Sequence, residues 1–267
     1  MDRPSLAAYT EPVAHEAISH IIRRYSTNPA DVRHEALQEI DLTGMARLLD
    51  LGCGFGFMVD ALAGIIPPDA EIVGVDMHAS NREVFLARAE VVAGSARFVC
   101  RTLNSHLDFP AQSFDAVIAS YSLYFFPGVI PEVARVLKPD GVFLSLTHSE
   151  SHFEYLLKAI GFSPQQSDLH SLLLEFSAEN GAARLAEHFA VVESRPYRNN
   201  LVFRSEDLDD YLALLHFKLP SLLPAQAVDP GQATNLLERA HDLLVGSGRV
   251  TIEKNDTAFI CTEPHPP

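Results

Sequence analysis

Three glycines at alternate positions, Gly52, Gly54 and Gly56, follow Asp50 closely, and a second acid, Asp76, stands twenty residues beyond the last of them. A loop built this way lets the backbone approach a ligand, because no Cβ intervenes. An acid just before such a loop repels phosphate and suits a ligand that carries an ammonium group. Asp76 suits a ribose, since a carboxylate accepts hydrogen bonds from both ring hydroxyls. Further along, His148 and His152 bring groups that titrate near neutrality, and Tyr121 and Tyr124 bring hydroxyl donors. This set of residue types can hold a cationic ligand and move a proton beside it.

The pattern around these residues says which elements position them. Arg47–Leu51 is a short apolar run ending in glycines, as a buried parallel strand reads. Helical spacing returns over 57–65, then 71–76 reads as a second strand and 82–93 as a second helix. Strands follow at 96–100, 114–120 and 141–146, with a short helix at 129–137, a turn at Lys138-Pro139-Asp140-Gly141, and a helix over 152–160. Such alternation implies a doubly wound α/β unit with a parallel sheet covered on both faces. Upstream, 12–42 reads as helical with a turn at Ser26-Thr27-Asn28-Pro29. Downstream come a strand at 189–197, helices at 205–215 and 235–244, a Pro- and Ala-rich loop at 219–230, and a closing hairpin over 249–261.

The chain has 267 residues, 47% of them hydrophobic and 21% charged, so it can build a sizeable core without staples. Its net charge of −15 disfavours nucleic acid as a partner. Cys53, Cys100 and Cys261 are odd in number and widely spaced, which predicts neither a disulfide framework nor a metal site. No apolar run reaches the length of a membrane span, and the first residues show no secretory pattern. A cytoplasmic protein that binds no membrane is the expectation, with its oligomeric state left open.

The loop separates two cofactor classes. A dinucleotide site wants G-x-G-x-x-G, and here the third glycine position is Phe57, with Asp50 further disfavouring a pyrophosphate. From about residue 45 to 148 the chain resembles the class I S-adenosylmethionine-dependent methyltransferases, whose first motif is an acid followed by G-x-G-x-G. The stretches Leu107-Asp108-Phe109-Pro110, Ser113-Phe114-Asp115 and Val136–Gly141 resemble that family's approaches to its fourth and fifth strands. The resemblance implies S-adenosylmethionine as cofactor, held by Asp50, Gly52, Cys53, Gly54, Gly56, Asp76, Met77, Leu103, Asn104 and Ser120. Where the family often has an acid toward the adenine amino group, this chain has Thr102-Leu103-Asn104-Ser105. Asn104 through its side-chain carbonyl, or Leu103 through its backbone, stands in for it. A second resemblance, to a bacterial small-molecule-type subgroup, rests on Arg24-Tyr25-Ser26-Thr27-Asn28 and Phe176–Gly181 and supports the boundaries; Tyr25 is a further candidate for the cofactor.

The fold so implied is α/β, doubly wound and Rossmann-like, a mostly parallel seven-stranded sheet with its last strand antiparallel and a helical lid inserted. It is a single domain: a helical segment over 1–44, a core over 45–204 and 246–263, and a lid over 205–245. The implied reaction is methyl transfer to oxygen or nitrogen of a small-molecule acceptor. His148 and Tyr124 are the candidate catalytic groups, and Tyr121, Tyr124, His148, His152 and His216 the candidate acceptor contacts. Cys53 lacks a basic neighbour that would make it a nucleophile. A protein or RNA acceptor, or a regulatory protein that binds the cofactor without transfer, are the alternatives.

Overall fold

The computed structural model describes residues 9–223 and 230–266, with side chains from 231 in the second stretch. In chain order its helices are α1 (Pro12–Tyr25), α2 (Val32–Leu37), α3 (Arg82–Val92), α4 (Ile130–Val136), α5 (Glu154–Ala159), α6 (Asp168–Glu175), α7 (Gly181–Ala186), α8 (Leu208–Leu222) and α9 (Pro230–Ser247). The strands are β1 (Arg47–Leu51), β2 (Glu71–Asp76), β3 (Ser95–Cys100), β4 (Phe114–Ser120), β5 (Leu137–His148), β6 (Phe189–Tyr197), β7 (Asn200–Arg204), β8 (Arg249–Glu253) and β9 (Asp256–Pro264). Contacts divide the chain into a sheet unit (32–148, 175–197 and from 256 on) and a helical unit (up to 31, 149–174 and 198–255).

The sheet unit holds seven strands in the order β3-β2-β1-β4-β5-β9-β6. β1 to β5 run parallel, and β9 alone runs against them, antiparallel to both β5 and β6. The run Leu48-Leu49-Asp50-Leu51 is buried on both faces, which is why it is continuously apolar apart from its acid. Pro196 is accommodated because β6 lies at the sheet's edge. Between β4 and β5 the register jumps from Leu137 to Val142, so the expected turn at 138–141 is an irregularity within an extended strand.

Two other expectations change form. The helical spacing over 57–65 yields only a 3₁₀ turn, Val59–Leu62. Gly56 and Gly64, at φ +87° and +74°, bound the segment in left-handed conformations and leave too little chain to propagate a helix. The apolar side chains are nonetheless buried, Met58, Val59 and Leu62 each at 1% exposure. The closing hairpin is absent: β8 pairs with β7 in a separate two-stranded sheet, while β9 enters the main one.

That pairing shifts the boundaries anticipated from sequence. Residues 198–204 and 246–255 group with the helices, as does 149–174, and 32–44 groups with the sheet. In the helical unit, Asn199 orders the chain after α1. Its side chain accepts from Asn28 N (3.1 Å) and donates to Ser26 Oγ (2.9 Å), while Thr27 N donates to Asn200 O (2.8 Å). The Arg24–Asn28 motif is thus a clasp onto β7. α8 runs to Leu222 with Pro220 inside it, so 219–222 is helix, and the rest of the expected loop lies outside the described residues except for Leu223 and Pro230.

Close packing in the sheet unit depends on Gly74 of β2. A Cβ there would stand 2.4 Å from the Phe85 ring and 2.8 Å from Cys53 Sγ, both fully buried. Gly74→Ala is expected to cost about 1–3 kcal/mol through overpacking. Gly246→Ala in α9 has nothing within 4 Å of the added carbon and is expected to stabilise by about 0.5–1 kcal/mol. Urea unfolding midpoints of the two variants should move in opposite directions.

Candidate functional site

The glycine loop sits at the carboxyl edge of the sheet, between β1 and the turns that follow it. Gly52 N and Cys53 N both donate to Val75 O of β2, at 2.8 and 3.2 Å, which curls the chain immediately after the strand. Gly52, Gly54 and Gly56 all have positive φ, at +68°, +52° and +87°. At Gly52 a side chain is excluded twice over, because a Cβ would also lie 2.6 Å from Ser122 Cβ. Ser122 in turn donates to Leu51 O at 2.7 Å, tying the end of β1 to the turn after β4.

The two acids at this edge have opposite surroundings. Asp76 accepts from Gly54 N at 2.9 Å on one oxygen, and from His78 N (2.8 Å) and Asn81 Nδ2 (3.2 Å) on the other. Three of a carboxylate's roughly four acceptor positions are therefore filled, leaving room for one ribose hydroxyl rather than two unless an internal donor yields. Asp50 is buried at 5% exposure, and its carboxylate has no hydrogen-bond donor among the described residues. Burial, with a smaller contribution from the Asp76 charge, pushes it up to about 7. A buried carboxylate in want of a cation fits the ammonium of an amino-acid ligand. The Ser120 hydroxyl at the end of β4 is likewise buried without a partner among the described residues.

On the side expected to meet adenine, Met77 and Leu103 are half-buried. The Asn104 side-chain carbonyl, expected to replace the missing acid, accepts from His106 N at 2.9 Å in a local turn, and its residue is exposed. Cys53 is buried, and its thiol is raised well above its ordinary range by burial and then by Asp50 and Asp76, in keeping with an inert thiol.

Beyond β4 the same edge gathers a second cluster. Tyr121 takes a left-handed φ of +52°, a strained setting for a large side chain. That turn lays its ring on His148, with centroids 4.4 Å apart and an interplanar angle of 24°, and Tyr124 follows at 6.2 Å from the same imidazole. His148 Nδ1 lies 2.7 Å from Asp256 Oδ1, and Tyr121 donates its hydroxyl to Asp256 Oδ2 at 2.8 Å. Burial first, and Asp256 next, hold the Tyr121 hydroxyl far above its ordinary range, so it remains a donor. Asp256 was legible in the sequence only as part of a turn. It meets His148 through strand register, which a single sequence does not contain.

The remaining candidates belong to the helical unit. Tyr25, expected at the cofactor, donates to Asp210 Oδ2 (2.8 Å) and Asp207 Oδ1 (3.1 Å) and packs on Phe203. His152 is buried and stands edge-on to Phe153. His216 lines an apolar groove of about 930 Å³ among α1, α8 and α9. In the second motif, Asn180 accepts from Ser177 N, and a side chain at Gly181 would run into the Phe259 ring at 2.5 Å, so that segment serves packing.

The sheet order and the glycine loop form a Rossmann-like α/β fold of the class I methyltransferase type. Residues 49–145 match the family model described as a methyltransferase domain. Over 115 residues the chain is 35% identical to nocamycin O-methyltransferase of Saccharothrix syringae, covering 41% of this chain and 40% of that protein. Over 131 residues it is 33% identical to a fatty-acid O-methyltransferase of Mycolicibacterium smegmatis, covering 46% and 43%. The chain thus spans less than half the length of these curated relatives. Among solved structures, a methyltransferase-fold protein from Bacillus halodurans superposes with a TM-score of 0.55 at 16% identity, over 88% of this chain and 100% of the other. Phosphoethanolamine N-methyltransferase 2 of Haemonchus contortus gives 0.54 at 16%, over 95% and 58%. These structural likenesses concern the fold.

Asp50 carries a testable consequence. Its folded carboxyl holds a proton more tightly than the unfolded one, whose ordinary value is 3.8, so folding stability falls as pH rises from about 4 through 7. Asp50→Asn is expected to stabilise the ligand-free protein at pH 8 by at most about 4 kcal/mol, a gain that narrows below pH 7 and vanishes near pH 4. Urea denaturation at pH 8, 6 and 4 reads it directly. A gain independent of pH would refute the burial argument.

Proposed function

We propose that the protein transfers a methyl group from S-adenosylmethionine to an oxygen or nitrogen of a small-molecule acceptor. The observation that carries the reading is Asp50, a buried carboxylate beside a glycine loop with no donor among the described residues. In this reading the cofactor supplies an electrophilic methyl group on a sulfonium, already attached to its leaving group. Asp50 holds the cofactor's ammonium, Asp76 takes a ribose hydroxyl, and Met77 and Leu103 give apolar contact to the base. Ser120 offers its hydroxyl to the amino-acid end, and the backbone of Gly52, Cys53, Gly54 and Gly56 shapes the near wall. His148 takes the acceptor's proton, and Tyr121 and Tyr124 line the same edge. The chain's task is alignment of acceptor and methyl group and exclusion of water.

The relatives named above methylate small molecules by their names, which supports the same class of acceptor here. The net charge of −15 supports it over RNA. Cys53, Cys100 and Cys261 are free thiols, as the reducing cytoplasm would keep them. No described helix is long and apolar enough to cross a membrane.

Calorimetry with S-adenosylmethionine, S-adenosylhomocysteine and NAD tests the reading. The expected result is micromolar binding of the first two, weakened at least about tenfold by Asp76→Ala, with no response to NAD. Because the ammonium favours ionised Asp50, binding near pH 7 should release a fraction of a proton, seen as a dependence of the heat on buffer, and affinity should rise from pH 6 to 8. A folded protein silent toward both sulfur ligands would remove the methyltransferase reading.

A further inference from the structure

Across three adjacent strands of the sheet unit, one row of register partners carries His148 on β5, Asp256 on β9 and Tyr197 on β6. His148 and Asp256 are buried at 5% and 2% exposure, and both oxygens of Asp256 are engaged, one by His148 Nδ1 and the other by the Tyr121 hydroxyl. The Tyr121 bond fixes the carboxylate plane, and its ring, stacked on the imidazole, fixes the ring plane. With Asp256 ionised its oxygen can only accept, and the hydrogen bond then places the imidazole proton on Nδ1. The lone pair of the neutral ring then resides on Nε2.

We propose that the acceptor is a neutral hydroxyl compound, an alcohol, enol or phenol, and that Asp256 and Tyr121 are the positioning residues that make His148 its base. This rests on the methyl-transfer reading above and goes beyond it. In the step, the acceptor oxygen forms its bond to the methyl carbon as the carbon–sulfur bond breaks, and that electron pair stays on sulfur. The hydroxyl proton passes to Nε2 of His148, and Asp256 offsets the charge of the resulting imidazolium. A hydroxyl needs such a base because its oxygen becomes strongly acidic only as the new bond forms.

Other acceptors fit the cluster less well. A carboxylate is already a nucleophile and needs no base, and it would meet the negative charge of Asp256 in a site of reduced dielectric. Arg195, two residues before Tyr197 on β6, is committed elsewhere. It donates to both oxygens of Glu193, at 2.6 and 3.0 Å, and to Gln38 O. An amine arrives as an ammonium, with no lone pair to attack until a proton is lost, and a nearby buried carboxylate favours keeping that proton.

Two measurements on the full chain decide it. Nitrogen-15 NMR of the histidines, with His148 assigned through His148→Gln, should show the Nδ1-protonated tautomer, and Asp256→Asn should displace it toward Nε2-protonated. Transfer of labelled methyl from S-adenosylmethionine is then followed on size-matched phenols, alkanols, alkanoic acids and alkylamines. Hydroxyl probes alone are expected to accept, and Asp256→Asn should lower kcat on them about 10²–10⁴-fold with cofactor affinity unchanged. Tyr121→Phe should lower it less, its ring stack being kept.

An Nε2-protonated wild-type ring, transfer to acids or amines instead, no transfer to any hydroxyl probe, or an undiminished rate in Asp256→Asn would each overturn the proposal. The wild-type tautomer keeps it falsifiable if Asp256→Asn does not fold. Cofactor binding, measured in parallel, separates the two levels. Its loss in the wild type removes the methyltransferase reading, while intact binding with any overturning result removes the acceptor assignment alone.

Discussion

A carboxylate taken out of water without a donor opposes folding, and the sheet edge is organised around one held in that condition. Asp50 lies on β1, between β2 and β4, in a run buried on both faces, where no described residue donates to it. The chain then has to turn at once, which requires Gly52 and Gly54 in left-handed conformations and a curl anchored on Val75 O. The turn brings Gly54 N onto Asp76, so the second acid is satisfied by the loop while the first has no donor among the described residues. The left-handed glycines of the loop and the buried carboxylate of Asp50 thus meet at one edge of the sheet.

Asp256 shows the contrary arrangement a few strands away. It is more deeply buried than Asp50, yet both its oxygens are engaged, by an imidazole and a phenol. One acid has no donor among the described residues, and the other holds an imidazole and a phenol. The same residue type takes two roles because the surroundings differ, a division that environment imposes on pairs of carboxylates elsewhere in enzymes. The strained φ of Tyr121 belongs to this second cluster, where backbone distortion is offset by stacking and a hydrogen bond to a buried anion.

Much of the sheet unit was readable in one dimension. Buried parallel strands are continuous apolar runs, and the glycine loop has a spacing that few other structures need, so the β1–β5 succession and the loop could be placed from residue types. Departures came where local pattern and tertiary context diverge. Apolar spacing over 57–65 reported burial correctly and helix incorrectly, since left-handed glycines at both ends decide the backbone. Lys254-Asn255-Asp256 looked like a hairpin turn because strand partners are invisible in sequence. The chain instead crosses from the β7–β8 pair into the main sheet.

The sequence by itself determined the fold class, the glycine loop with its flanking acids and the presence of a histidine at the end of the fifth strand, all of them consequences of short-range spacing. Tertiary structure alone decided which side chains share a hydrogen bond. It gave Asp256 rather than a neighbour in sequence to His148, engaged Tyr25 with two aspartates, and spent the Asn104 carbonyl on its own turn. The physical reason is range: periodicity and turn chemistry act over a few residues, whereas the sequence separation of 108 from His148 to Asp256 is closed only by strand pairing.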